Sequence, residues 1–282
     1  MKASTLLLNI LLLTTIGMAA LSCAPPAGTF TEPVPASGYA GYIVVANATT
    51  KNVVLLDSNG TFIRNLISLD TSTTDSPYGL AQYDSNTILA VIEGVDRVMK
   101  APLDLGATSA THFLINSNLT GTMKGIAMLN GDVIVGEGTT VERFSSTGTR
   151  ITSGGWPKTL QTLGTTLAPT STGGFIECST TSDIVGTYDS SGTLLYSTPS
   201  GIGATTDGLG CSVSTDGRIG VAWNGTTDTI AVYTDSTLAT TSFTYSNTGS
   251  LGNPTAVAFR ANGNILAIDG TNNNILEIDT AG

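Results

Sequence analysis

The chain has 282 residues, 40% of them hydrophobic and 11% charged, with 33 glycines and one histidine. Its 11 Lys and Arg against 21 Asp and Glu give a net charge of −10, which excludes recognition of nucleic acid or anionic lipid through a basic face. The hydrophobic content exceeds that of a disordered chain, and a lone histidine removes most His-based catalysis and every multi-His metal site.

Residues 1–22 read as an export leader: Lys2, then an apolar run over 6–18, then small residues. The run is interrupted by Asn9, Thr14 and Thr15 and is shorter than the roughly 20 apolar residues a membrane-spanning helix needs. Ala20-Leu21-Ser22-Cys23 resembles the lipobox of bacterial lipoproteins. The resemblance implies acylation of Cys23, which becomes the mature N-terminus, and Ala24 after it implies the outer membrane, periplasmic or surface-facing. An ordinary secretory signal is the alternative. Removing 1–22 takes Lys2 and no acid, leaving 10 basic against 21 acidic residues. Residues 23–31 form a short tether, and 32–282 form one domain.

One unit of about 44 residues then recurs six times, starting near residues 32, 77, 122, 164, 207 and 253. Its clearest part is a strand, a polar residue, a short polar loop and a second strand. The copies are YIVVANATTKNVVLLDSNG from Tyr42, TILAVIEGVDRVMKAPLD from Thr87, DVIVGEGTTVERFSSTG from Asp132, GFIECSTTSDIVGTYDSSG from Gly174, RIGVAWNGTTDTIAVYTDST from Arg218 and NILAIDGTNNNILEIDTAG from Asn264. A short apolar strand precedes each of the last five, at Gly79, Gly125, Thr166, Gly210 and Ala256. With a weaker fourth strand (Thr61 and Thr193 open two of them), each unit predicts strands a, b, c and d in an antiparallel sheet. No window predicts an amphipathic helix.

Six such units predict an all-β, six-bladed β-propeller of four-stranded antiparallel blades, since one blade cannot bury both faces alone. The final copy stops after strand c. Residues 28–30 are one candidate to complete blade six. The favoured frame instead makes 32–37 strand a of blade one, because Pro35-Ala36 stands eight and seven residues before Ile43. GNILAIDGTNNNILEIDTAG and the Gly-apolar-Ala inner strands resemble NHL-repeat propellers and, distantly, the senescence-marker/gluconolactonase group. That resemblance implies architecture more than function.

Strand b ends on a polar residue in every copy: Asn47, Glu93, Glu137, Ser179, Asn224 and Asp269. Oxygen-rich side chains suit a hard divalent cation, so Glu93, Glu137, Asp269 and the in-strand Glu177 are the candidate metal ligands. Capping of the residue's own turn is the favoured account, and it implies no metal or other cofactor. The gluconolactonase resemblance implies a channel-bound metal and an acid that activates water, but its ligand set does not map onto these inner strands. Glu177 reads as solvent-reaching, with a buried, perturbed carboxyl as the alternative. His112 reads as solvent-facing on strand d of blade two. Cys178 and Cys211 occupy core slots, and export also permits a disulfide between them. Trp156, placed in a d–a loop, is either an exposed binding anchor or folded onto blade four.

No catalytic set emerges. The sequence favours a monomeric, lipid-anchored envelope propeller that binds a protein or small ligand on the face of its b–c and d–a loops, with Trp156, Asn47 and Asn224 as candidate contacts. The membrane is met through the anchor only. The alternatives are a metal-dependent lactonase- or esterase-like hydrolase using the channel, and a surface lectin-like or adhesive protein.

Overall fold

The computed structural model describes residues 8–12 (backbone only), 41–71, 73–104, 106, 109–115, 119, 122–160, 164–179, 184–198, 207–246 and 251–280. The chain forms the expected six-bladed propeller. Blade one is β1 (Leu8–Leu12), β2 (Ile43–Asn47), β3 (Asn52–Leu56) and β4 (Phe62–Ser68). Blade two is β5 (Ser76–Asp84), β6 (Thr87–Glu93), β7 (Arg97–Pro102) and β8 (Thr111–Ile115). Blade three is β9 (Met123–Leu129), β10 (Asp132–Glu137), β11 (Thr140–Phe144) and β12 (Lys158–Thr159). Blade four is β13 (Gly164–Pro169), β14 (Phe175–Ser179), β15 (Val185–Tyr188) and β16 (Leu194–Ser197). Blade five is β17 (Asp207–Val213), β18 (Ile219–Asn224), β19 (Thr229–Tyr233) and β20 (Thr241–Tyr245). Blade six has three described strands, β21 (Pro254–Phe259), β22 (Ile265–Asp269) and β23 (Asn274–Ile278).

The b strands read as continuous apolar runs because both of their faces are covered. In β6, Ile88, Ala90 and Ile92 pack with Val44, Val53 and Leu55 of blade one, while Leu89 and Val91 pack with Ile126, Val133 and Val135 of blade three. The same alternation generates six apolar clusters, one per interface between neighbours. The sixth joins Ile43 and Val45 of blade one to Ala256, Ala258, Leu266 and Ile268 of blade six. The ring therefore closes by direct blade-on-blade packing, and Arg260 adds a hydrogen bond to the Ser58 carbonyl at 3.0 Å.

One turn type recurs along a single rim, which carries the a–b and c–d connections. Asp57, Ser145, Thr170, Asp189, Ser214 and Arg260 each open a five-residue loop whose fourth residue is a glycine with φ between +78° and +90°. Such positive φ is open to glycine at little steric cost. The Asp57 and Asp189 carboxylates accept backbone N–H groups two and four residues on, at 2.8–2.9 Å. Side-chain oxygen at the first position thus completes the turn that the backbone begins.

The inner position of blade one differs from expectation. It is held by β1, within the stretch read as leader, paired antiparallel with β2 from Leu8↔Asn47 to Leu12↔Ile43. Residues 32–37, 28–30 and Cys23 lie outside the described residues.

Candidate functional site

The inner strands approach one another so closely that side chains are excluded at set points. A Cβ on Gly79 would lie 2.2 Å from the Lys124 carbonyl, and one on Gly210 would lie 2.6 Å from Cα of Ala256. Gly125 is similarly close to Leu167. The Gly-apolar-Ala pattern of strand a is therefore the mark of wedge-shaped blades meeting near an axis.

Around that axis lies a cavity of about 570 Å³, walled by the inner strands of blades two to six. Most of the wall is small or apolar: Ala81, Ala127, Leu167, Ala168, Val257. Polar side chains gather towards the a–b turns and are engaged there. Gln82 donates to the Asp84 carbonyl at 3.2 Å, Asp84 accepts the Asn86 N–H at 2.8 Å, Ser214 bonds Asp216, and Arg260 pairs with Glu277 at 2.7 Å. Ser212 Oγ alone on this wall is buried without a partner among the described residues. Among the described lining residues the one acid, Asp84, is engaged in its own a–b turn.

The polar residues that end the b strands do not converge. Asn47 Oδ1 accepts the N–H groups of Thr49 and Thr50, both at 3.0 Å. Fully buried Asp269 accepts those of Thr271 and Asn272 at 3.0 and 2.9 Å. Both are turn caps. Asn224 instead donates to Asn253 across the blade five–six junction, and the Asn253 N–H donates to Asp228 at 2.8 Å. Glu93 accepts the Tyr78 hydroxyl; burial first, and then the Glu93 charge, push that phenol well above its ordinary range. Glu137 lies near enough to Arg150 to help hold it charged. Among the described residues no three His, Cys, Asp or Glu side chains are grouped to hold a metal ion.

Two further placements correct or decide the sequence reading. Glu177 is 1% exposed rather than solvent-reaching, and it accepts the Tyr188 hydroxyl at 2.6 Å. Tyr188 stacks on Phe175 (centroids 4.8 Å apart, planes 5° apart). Gly186, opposite Glu177 in register, lets the Tyr188 ring cross, since a Cβ there would stand 2.9 Å from Cε2. Glu177 faces the blade three–four interface, where Phe175 and Tyr188 pack with Leu129 and Val141. Trp156 is 5% exposed and packs in that same cluster, in the connection between β11 and β12 rather than in a d–a loop. Arg143 and Lys158 stand 5.4 and 5.9 Å from its ring. It is the folded-back tryptophan, not an exposed anchor.

Cys178 and Cys211 are both buried and both thiols, in the blade four–five cluster. Burial pushes the Cys178 thiol up, and a hydrogen bond with Cys211 adds to the shift. His112 is exposed on β8, as expected. Sequence reading missed the pair Arg150–Glu142, which is bidentate at 2.6 and 2.8 Å with Glu142 only 4% exposed. Nothing in the local pattern TVERF marks that glutamate as buried.

No family model and no curated protein matches the sequence. Solved structures do match. One is from a nidogen/laminin complex, with TM-score 0.64 and 14% identity over 84% of this chain and 89% of that one. Another is the WD40 β-propeller domain of Doa1, with TM-score 0.56 and 16% identity over 83% and 88%. A third is a structural-genomics protein of unknown function from Bacteroides thetaiotaomicron, with TM-score 0.64 and 12% identity over 83% of this chain and 66% of that chain. The likeness is one of fold. At these identities it assigns no activity.

Proposed function

We propose that this propeller is a non-catalytic binding scaffold, held at the bacterial outer membrane by acylated Cys23, whose partner is a protein docked on the b–c/d–a face. The observation that carries the reading is the contrast between the two rims. On the a–b/c–d rim, six turns satisfy their own backbone groups, and the longest fully described connection there, 145–157, is folded back through buried Trp156. On the other rim, d–a connections run from four residues (160–163) to nine (198–206) and cross from blade to blade. Described contacts latch this rim: Asn224 to Asn253, Asn253 to Asp228, and Lys51 to the Thr73 carbonyl. Loops fixed on a rigid frame are where binding concentrates. One structural neighbour was solved in a nidogen/laminin complex, so the fold serves protein association there.

Site-specific photo-crosslinkers in the intact envelope test this. Probes at Thr49 and Thr226, in b–c loops, are expected to capture one discrete protein, and probes at Ser146 and Ser190, on the opposite rim, are not. Silence at both rims contradicts the reading. So does turnover of lactones or esters accompanied by a stoichiometric divalent ion, which restores the hydrolase alternative.

A further inference from the structure

Blade six ends on a strand edge that the other five blades keep covered. In those blades an outermost strand pairs with strand c: β4 with β3, β8 with β7, β12 with β11, β16 with β15 and β20 with β19. Among the described residues no strand lies beyond β23. Burial gives the same result independently. Val53, Val98, Val141, Val185 and Ile230 hold one position of strand c, facing the next blade around the ring, and all five are 0% exposed. Ile275 holds that position in blade six, against the cluster of Ile43 and Val45. It is nevertheless only half-buried, and Asn274 and Glu277 on the same strand are exposed. An open strand edge presents a row of backbone N–H and C=O groups to which another chain can pair.

The covered blades also define what fits. Opposite the buried apolar position, strand d places Ile67, Leu114 and Tyr245 in blades one, two and five. Opposite the next residue of strand c, the counterpart of Leu276, it places Asn65, His112, Ser197 and Thr244. One residue further, Leu55 of blade one faces Arg64, and the counterpart of Leu55 in blade six is Glu277. Glu277 holds Arg260 at 2.7 Å and Asn264 at 3.0 Å, yet 41% of its side chain stays exposed.

We infer that the outer edge of β23 takes a β-strand from a partner protein, antiparallel to β23 as strand d is to strand c in the other blades. The segment that fits is extended, with a basic residue opposite Glu277, a polar one opposite Leu276 and an apolar one opposite Ile275. Opposite charges across a strand pair stabilise it, and a chain of net charge −10 draws a basic segment towards it. This edge lies on the circumference of the ring, apart from the b–c/d–a face, so the contact stands whether or not that face binds.

The probe is a synthetic peptide with the sequence of residues 61–69, TFIRNLISL, which is strand d of blade one and sets its Arg, Asn and second Ile against Glu277, Leu276 and Ile275. Titrated into the full chain, it is expected to bind saturably and to slow exchange of β23 amides about tenfold, with β6 unchanged. On the same chain the peptide carrying Arg64→Glu is expected to bind about two- to fivefold more weakly, and the peptide carrying Ile67→Asp not to bind. Glu277→Lys in the protein is expected to reverse the preference between the arginine and glutamate peptides. Equal binding of all three peptides overturns the inference, as does absence of binding with β23 exchange unchanged. So do β23 amides already slow before peptide is added, which means that this chain fills the slot itself, and β23 protection that rises with protein concentration, which means that a second copy does.

Discussion

Gly210→Ala probes the inner ring at one of its tightest points. An added Cβ would lie 2.6 Å from Cα of Ala256 and 2.7 Å from the Thr255 carbonyl, and both are backbone atoms of the next blade. Comfortable carbon contacts begin near 3.5 Å, so blades five and six must separate by roughly 1 Å, and no side chain can rotate away to spare them. Overpacking of this kind costs about 1–3 kcal/mol. Restricting the unfolded chain returns about 0.4–1 kcal/mol, leaving a net loss of about 1–2 kcal/mol. At about 2–4 °C per kcal/mol for a domain of this size, Tm should fall by roughly 2–8 °C, with the urea midpoint moving at unchanged slope. Gly106→Ala is the control, since its nearest neighbour would be Asp104 Oδ1 at an ordinary 3.6 Å; it should stay within about 0.5 kcal/mol of the parent. If Gly210→Ala is as stable as that control, the inner strands do not meet as described.

Tyr188→Phe should cost about 1–3 kcal/mol by removing a donor to the buried Glu177 carboxyl, and Glu177→Gln should cost less because an amide oxygen still accepts; urea melts in which Tyr188→Phe is neutral would contradict this. Cys178 and Cys211, both buried thiols, should resist alkylation in the folded protein and react once it is unfolded, as read by peptide mapping; prompt labelling of both positions in native buffer would refute their burial. Asp189 is held below the usual carboxylate range first by the Ser191 hydroxyl and then by the Thr193 N–H. A depressed folded value means its turn is supported above the ordinary pKa of about 3.9 and loses that support as pH falls through the folded value. Asp189→Asn should therefore flatten the acid limb of a stability–pH curve, and an unchanged limb would count against it.

The repeat was legible because burial on both faces forces the b strands to be apolar throughout, and because glycine at a positive φ recurs at fixed distances from them. Asn47 and Asp269 were legible as turn caps for a local reason: the groups they bond lie two and three residues away. What was not legible depends on partners distant in sequence. Glu177 is buried only because Gly186 makes room for Tyr188, and Trp156 because Leu129, Val141 and Phe175 wait in the neighbouring strands. Strand β12, two residues long, carries too little pattern to fix which side of it Trp156 belongs to. The occupant of the first inner slot was hidden for another reason: pairing with β2 needs backbone alone, and a distant apolar segment supplies it as well as a local one.

Closure of the ring is the claim on which the rest depends, and a double-mutant cycle between Val45 and Ile268 tests it most directly. These residues share one cluster although blades two to five separate them in sequence. Val45→Ala and Ile268→Ala should each destabilise the fold, and their combination should depart from additivity by about 0.5–3 kcal/mol, as for residues in contact. Strict additivity would mean that blade six does not rest on blade one and that the six sheets form an open arc.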